Sequence, residues 1–358
     1  MPVQRLWLTD FRNYQSLDIS LPDGLTVIIG NNGQGKTNLL ESISWLSKGS
    51  SFRGSPTEAL VRNGKEKTII RAEVSAHNRK VLLEAELNIN GKNRILINSN
   101  KAKRVRDLLG YFQTTLFSPD DLELIKSGPT TRRKYLDELL VDSHPKNYEL
   151  ITDLEKVLRQ RNTLLKQSKG VLSSEILSTL LVWDTKLIQL GEKLSDARKH
   201  LIETLNNPFA ETMFALQGKE SKTELKYISS WEGKSLAEAL EDVRETDLRR
   251  GITTIGPHRD DLLITLNNMP SRTHASQGEQ RSLALALRLA GHQIITEKIN
   301  LNPVILLDDV FSELDEKRSK KLIEILPNCQ TLISSAGELP NGINSPSVLR
   351  ILEGEVVI

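Results

Sequence analysis

The chain runs to 358 residues, 38% hydrophobic and 26% charged, with 48 Lys and Arg against 46 Asp and Glu for a formal net charge of +2. That composition excludes a disordered chain and leaves room for one large core or two modest ones, so two lobes are expected. With charges so nearly balanced, any contact with nucleic acid has to come from local clustering.

The lone Cys329 excludes an internal disulfide framework and suits a reducing cytosol, where it reads as a small buried hydrophobe. No apolar run approaches the ~18 residues that span a bilayer, and no secretory core follows Met1 to Arg5. The expectation is a soluble cytoplasmic protein with no membrane contact.

From the N-terminus, residues 5–9 and 25–29 read as strands, with Pro22, Asp23 and Gly24 as a turn between their neighbourhoods. Gly30-Asn31-Asn32-Gly33-Gln34-Gly35-Lys36-Thr37 follows directly, and Asn38 to Ile43 behind it has helical spacing. After a polar loop at 49–54, residues 68–76, 80–88 and 93–98 alternate as an antiparallel meander with Asn90-Gly91 as a hairpin turn. Lys101, Lys103, Arg104 and Arg106 then form a basic cluster, with Lys92 and Arg94 just before it. Such a cluster is either a solvated face or a DNA-binding surface, and spacing does not separate the two.

Pro119 opens a helical regime that lasts to about residue 206. Pro129 sits where a first-turn proline belongs. One helix is expected over 145–167 and a longer one over 173–205. In the latter, Ile176, Leu180, Trp183, Leu187, Leu190, Leu194, Ala197 and Leu201 alternate spacings of three and four, a heptad seam. Its expected partner is the preceding helix, through Leu150, Leu154, Val157 and Leu164. At ~1.5 Å per residue the hairpin would project about 40 Å, a short arm. Further on, 223–229 reads as a strand, 236–249 as a helix, 262–266 as a strand, 283–295 as an apolar helix and 303–307 as a buried strand. Two short strand–helix units are expected to close the chain. Gly256-Pro257-His258-Arg259-Asp260-Asp261 is either a loop pinned by salt bridges of its aspartates or a functional loop on a rigid scaffold.

Residues 30–37 fit G-x-x-x-x-G-K-[ST] between a strand and a helix, the setting in which that pattern means a phosphate loop. Its glycines let backbone N–H groups converge, and the helix opening at Lys36 adds its partial positive end. Lys36 would reach the β/γ-phosphates of ATP and the Thr37 hydroxyl would hold Mg²⁺. Val304-Ile305-Leu306-Leu307-Asp308-Asp309 is an apolar strand ending in two carboxylates, the Walker B pattern. Asp308 would hold Mg²⁺ opposite Thr37, and Asp309 would polarise an attacking water. Ser276-Gln277-Gly278-Glu279-Gln280, ahead of a helix, fits the Ser-x-Gly-x-Gln signature of ABC-type ATPases, with Ser276, Gly278 and Gln280 as an anion site. Because the two Walker elements lie at opposite ends of the chain, the catalytic sheet is closed by both ends around a large insertion. The expected fold is α/β: an ABC/SMC-type P-loop ATPase head (mixed β-sheet with helices), 1–116 with 296–358, plus a helical second lobe, 117–295, with a short antiparallel coiled-coil arm.

Phe11-Arg12-Asn13-Tyr14, Gly33 to Glu41, Ser51-Phe52-Arg53, the Gly256–Asp261 cluster, Ser276-Gln277-Gly278 and Leu306 to Val310 together resemble the RecF family, bacterial recombination-repair ATPases related to SMC heads. The resemblance runs nearly end to end. It implies a homodimer that forms on ATP, each nucleotide lying between the phosphate loop of one subunit and the signature helix of the other. It also implies binding of double-stranded DNA, slow ATP hydrolysis, and work with RecR and RecO in loading RecA at gapped DNA. By the same resemblance, Arg12 and Asn13 lie near the nucleotide base. The strand 330–333 is followed by Ser334 and Ser335, where transporter ATPases carry a switch histidine. Either serine is expected to sense the γ-phosphate. Two other classes fit parts of the pattern: a transporter ATPase subunit, and a scaffold that binds ATP without hydrolysing it.

Overall fold

The computed structural model describes residues 1–76, 79–218, 220–336 and 346–357. Within them the strands are β1 Val3–Phe11, β2 Tyr14–Ser20, β3 Leu25–Ile29, β4 Lys67–Ala76, β5 Arg79–Asn88, β6 Arg94–Ile97, β7 Asn100–Lys101, β8 Thr114–Phe117, β9 Thr223–Ile228, β10 Asp261–Leu266, β11 Met269–Pro270, β12 Val304–Asp308, β13 Thr331–Ser335, β14 Ser347–Leu352 and β15 Glu355–Val357. The chain divides into two compact units: Met1–Leu122 with Thr212–Glu220 and Arg281–Ile358, and Glu123–Glu211 with Ser221–Gln280. The boundaries expected at 116/117 and 295/296 differ from these junctions chiefly along the helix Gln277–Ile299, which the two units share.

The first unit holds two six-stranded sheets, ordered β15-β14-β3-β13-β12-β8 and β2-β1-β4-β5-β6-β7. In the former, β14, β3, β13, β12 and β8 run parallel. Strands of a parallel sheet are covered on both faces, which is why β3 and β12 are continuous apolar runs and why β12 and β13 are buried throughout. The latter sheet is an antiparallel meander. Between the two lies the helix Lys36–Lys48, whose Leu39, Leu40, Ile43 and Leu46 share one core with Leu6 and Leu8 of β1, Ile70 of β4, and Val304, Leu306 and Leu332. Each such burial contributes about 1.5–3 kcal/mol. Encased this way, the helix buries Glu41, Ser42, Ser44 and Ser47 as well.

The second unit contains the helices Pro129–Ser143 and Asn147–Gln167, and Ser174–Gln217 as far as Glu211. The last runs 44 residues and carries Pro208 inside it, so it does not end near 205. Leu205 and Phe209, both fully buried, flank the proline and hold the turn despite its missing N–H. The heptad seam is present: Leu180, Leu187, Leu194 and Leu201 are buried. Leu165, Leu180 and Leu248 form one cluster, so the helix Arg244–Arg250 packs there alongside Asn147–Gln167. Residues 236–249 make two helices, Leu236–Asp242 and Arg244–Arg250, broken at Val243. The break turns Asp247 toward Arg161, which is wholly buried and donates to Asp184 (2.7 Å), Asp247 (2.6 Å) and Thr253 (2.9 Å). The small sheet β11-β10-β9 completes this unit. At the C-terminus the chain closes on the hairpin β14–β15 where a strand–helix unit was expected. Leu352-Glu353-Gly354-Glu355 supplies a two-residue turn that fits a hairpin better than a helix start.

Candidate functional site

All parallel strands of the first unit point their C-terminal ends to one edge of the sheet, the edge where open α/β sheets bind ligands. There β3 ends at Ile29, the loop runs through Gly30 to Gly35, and the helix begins at Lys36. Asn31, Asn32 and Gly33 are exposed at the loop tip, while Gly35 and Lys36 are buried at its base. Gly35 has φ 120°, and a Cβ there would sit 2.7 Å from Asn13 Nδ2 and 3.0 Å from the Tyr14 hydroxyl, so any side chain would be both strained and crowded. Those neighbours shape the loop: Asn13 Nδ2 donates to the Gln34 carbonyl (2.7 Å) and the Tyr14 hydroxyl to that of Gly35 (2.9 Å). Lys36 curls back, its Nζ donating to the carbonyls of Gly30 (2.7 Å) and Asn31 (2.9 Å). Burial lowers its pKa, and the charges of Asp309 and Asp308 partly restore it.

Asp308 reaches the same place from β12. Thr37 Oγ1 donates to Asp308 Oδ1 at 2.8 Å, and Ser334 Oγ donates to the same oxygen at 2.7 Å. The register dictates this, because Asp308 pairs with Ser334 across β12–β13 and Ser334 with Ile28 across β13–β3. Burial raises the Asp308 pKa. The Ser334 and Thr37 hydrogen bonds and the nearby Arg53 charge oppose that rise, and Asp309 adds to it. Asp309 has φ 50°, and its N–H donates to Ser334 Oγ at 3.0 Å. Ser334, which lies within β13 and not after it as expected, therefore links the two carboxylate residues.

Asn13 lies against this loop and Arg12 against the helix behind it, both as supports. The Arg12 guanidinium grips Glu41 at 2.8 and 2.9 Å and also donates to Ser55 Oγ at 2.7 Å. The Asn13 side chain is divided between the Gln34 carbonyl and Asn38, whose Nδ2 donates to it at 2.8 Å. Ser51 Oγ donates to Glu41 Oε1 at 2.5 Å, so Glu41 ties β1 and the loop after Lys48 to the helix. Glu41 stands in the motif that suggested the site, yet only its burial shows what it does.

In the second unit, Ser276 is an exposed N-cap closed into a capping box. Its hydroxyl and N–H both donate to Glu279 Oε2 (2.8 and 2.9 Å), and the Glu279 N–H returns to Ser276 Oγ (3.3 Å). Gly278 lies in the first turn of this helix. Gln280 is buried, donating to the carbonyls of Ser271 and Arg272 at 3.3 Å each, which shapes the approach to Ser276.

The chain matches the RecF/RecN/SMC N terminal domain family over residues 2–338. "DNA replication and repair protein RecF" of Streptomyces avermitilis is 41% identical over 352 residues, covering 94% of each chain. Its counterpart in Kineococcus radiotolerans is 37% identical over 376 residues, covering 98% of this chain and 95% of its own. This chain belongs to the RecF family. A solved structure described as the recombination mediator protein RecF-ATPrS in the RecFOR pathway superposes with a TM-score of 0.90 at 33% identity, over 99% of this chain and 97% of its own. The Smc head domain derived from Pyrococcus furiosus shares the fold at 17% identity, with a TM-score of 0.59 over 99% of this chain and 95% of that one.

In this RecF-family chain the Gly256–Asp261 loop is pinned, as one of the two sequence readings held, but by arginines from elsewhere. Arg132 makes a two-point bond to Asp261 (2.7 and 2.8 Å), Arg133 donates to the Asp260 carbonyl (2.7 Å) and Arg198 to that of Pro257 (2.7 Å). His258 Nε2 lies 3.0 Å from the Thr253 carbonyl, and burial pushes its pKa down to about 4. Of the basic cluster, Lys101, Lys103 and Arg104 are exposed, and Asp107 accepts from the backbone N–H groups of Lys103 and Arg104. The Arg106 side chain lies outside the described residues.

Proposed function

We propose that this chain is an ATP-dependent recombination mediator of DNA replication and repair: it binds MgATP at residues 30–37, dimerises around the nucleotide, holds double-stranded DNA, and resets by slow hydrolysis. The observation that carries this reading is the 2.8 Å contact between Thr37 and Asp308, which joins the two ends of the chain at an anion-binding loop. The donor set fits Mg²⁺: a hydroxyl and a carboxylate, both hard oxygen ligands, with Asp308 pushed toward its neutral form by burial and so gaining from a nearby cation. When bound, the ion neutralises charge on the phosphate oxygens.

Lys36 leaves the Gly30 and Asn31 carbonyls to meet the β- and γ-phosphates. The Asp309 carboxylate orients the attacking water, and Ser334, bonded to both Asp308 and the Asp309 N–H, carries the state of the γ-phosphate between them. Ser276 and Gly278 meet the γ-phosphate of a second copy, so ATP stabilises the dimer by mass action. Lys101, Lys103, Arg104 and Arg106 are assigned to DNA phosphates. RecR, RecO and RecA are the proposed partners.

Sedimentation with ATP, ADP and no nucleotide, with and without duplex DNA, tests the reading. A dimer with ATP alone, favoured further by duplex, is expected; one mass under all conditions overturns it. Single-turnover hydrolysis in the presence of duplex separates this function from a scaffold that only binds ATP. No observation favours a transporter subunit.

A further inference from the structure

We propose that the C-terminal hairpin β14–β15 is a strap that positions the phosphate loop, with Glu353 and Gly354 as its positioning residues; the proposal deepens the nucleotide reading above and rests on it. The hairpin meets the loop at its crown. The Gly354 N–H donates to the Gln34 carbonyl at 3.1 Å, and the Glu353 N–H donates to the Gln34 side-chain oxygen. Gln34 is thus held from one side by the hairpin and from the other by Asn13 Nδ2, which donates to the same carbonyl at 2.7 Å. The Ile351 carbonyl occupies the space that a side chain at position 30 would need.

The turn is built for this contact at a local cost. Leu352 pairs with Glu355, leaving Glu353 and Gly354 as a two-residue turn with φ 49° and 81°. Positive φ at both central positions is the primed geometry that hairpins favour. Glutamate is a poor occupant of the first position, where asparagine, aspartate or glycine is usual. The strain is held because the exposed hairpin end is fastened to the loop through that residue's N–H. Gly354 is buried although it lies close to the chain end, and a Cβ there would meet the Asn13 carbonyl oxygen at 2.6 Å. One carbonyl, that of Gln34, therefore receives Asn13 and the hairpin together. Its peptide plane sets the direction of the Gly35 N–H, one of the donors a phosphate meets.

A strap of this kind acts on the loop before and during the reaction alike, so it changes binding and leaves the chemical step alone. The experiment uses the full chain and a fluorescent N-methylanthraniloyl ATP as probe, with Gly354→Ala, Gln34→Met and, as a control on the exposed outer strand, Val357→Thr. Gly354→Ala is expected to weaken ATP and ADP alike by about tenfold, and Gln34→Met by about threefold or more, the scale of one ordinary hydrogen bond. Turnover at saturating ATP stays within about twofold for Gly354→Ala, and Val357→Thr binds as the parent does. Should Gly354→Ala fail to fold, Gln34→Met decides. Unchanged affinity in the folded variants, or a loss confined to turnover, overturns the strap. A parent protein that does not bind the probe overturns the nucleotide reading itself, and the strap with it.

Discussion

Arg12 and Glu41 form a two-point ion pair at 2.8 and 2.9 Å, with the Glu41 side chain wholly shielded from solvent. Removing one partner of a buried pair leaves the other charge without compensation, which costs more than the pair contributes. Arg12→Ala is expected to destabilise the protein by roughly 3 kcal/mol in urea unfolding. Ser51→Ala, which removes one hydrogen bond to the same carboxylate, should cost about 1 kcal/mol. Equal effects would show that Glu41 is not held chiefly by Arg12.

Asp309 stands beside the phosphate loop with its N–H fixed by Ser334. Asp309→Asn keeps the shape and removes the proposed base, so turnover should fall by about 10²–10⁴ while ATP binding persists. Dimers formed on ATP should then outlast those of the parent protein in gel filtration. Parent-like turnover would assign the base elsewhere.

Asp308 carries a pKa raised mainly by burial. A carboxyl whose folded pKa exceeds its unfolded value of 3.8 lends stability below that value and loses it as pH rises through the folded one. At neutral pH its charge is therefore a burden on the nucleotide-free protein. Asp308→Asn should melt higher than the parent at pH 7, with the gap closing below about pH 4. It should also lose turnover by about a hundredfold or more. A lower melting temperature at pH 7 would contradict this.

His292 titrates in the opposite sense. Its Nδ1 lies 2.9 Å from Thr115 Oγ1, and burial lowers its pKa from 6.5 to about 4. Between those values the unfolded chain binds the proton and the folded chain does not, so stability present above pH 6.5 drains away toward pH 4. His258 has the same shift and adds to the slope. The melting temperature of His292→Asn should decline less steeply over that window, and an unaltered slope would exclude the residue.

Ser276 is the exposed end of the helix Gln277–Ile299. Ser276→Arg should leave nucleotide affinity within about twofold and abolish the ATP-dependent dimer, because the added bulk and charge fall where a partner's phosphate would rest. Normal dimerisation by Ser276→Arg would defeat the two-copy site.

The phosphate loop, the acidic strand and the heptad seam were legible because each is local: a few residues at fixed spacing name the element. Strand β3 matches its expected bounds, 25–29, since a continuous apolar run leaves no choice of face. What spacing hid was contact between distant residues. Arg161 stands among polar neighbours in an amphipathic helix, and only the arrival of Asp184 and Asp247 makes it a buried charged centre. Arg12 and Glu41 stand in separate motifs, and no periodicity pairs them. The short strand β8 was missed for a related reason: Thr114 to Phe117 has too little pattern of its own, and its place is set by pairing with β12.

The parallel sheet takes β3 from the start of the chain and β12, β13 and β14 from its end. During synthesis β3 must therefore wait, lacking its partners β13 and β14, until the chain has been made through Leu352. A chain released early would own Lys36 and Thr37 but no Asp308. It could not join the Thr37 hydroxyl to a carboxylate, so the two halves of the candidate site come together only once both ends of the sheet are made.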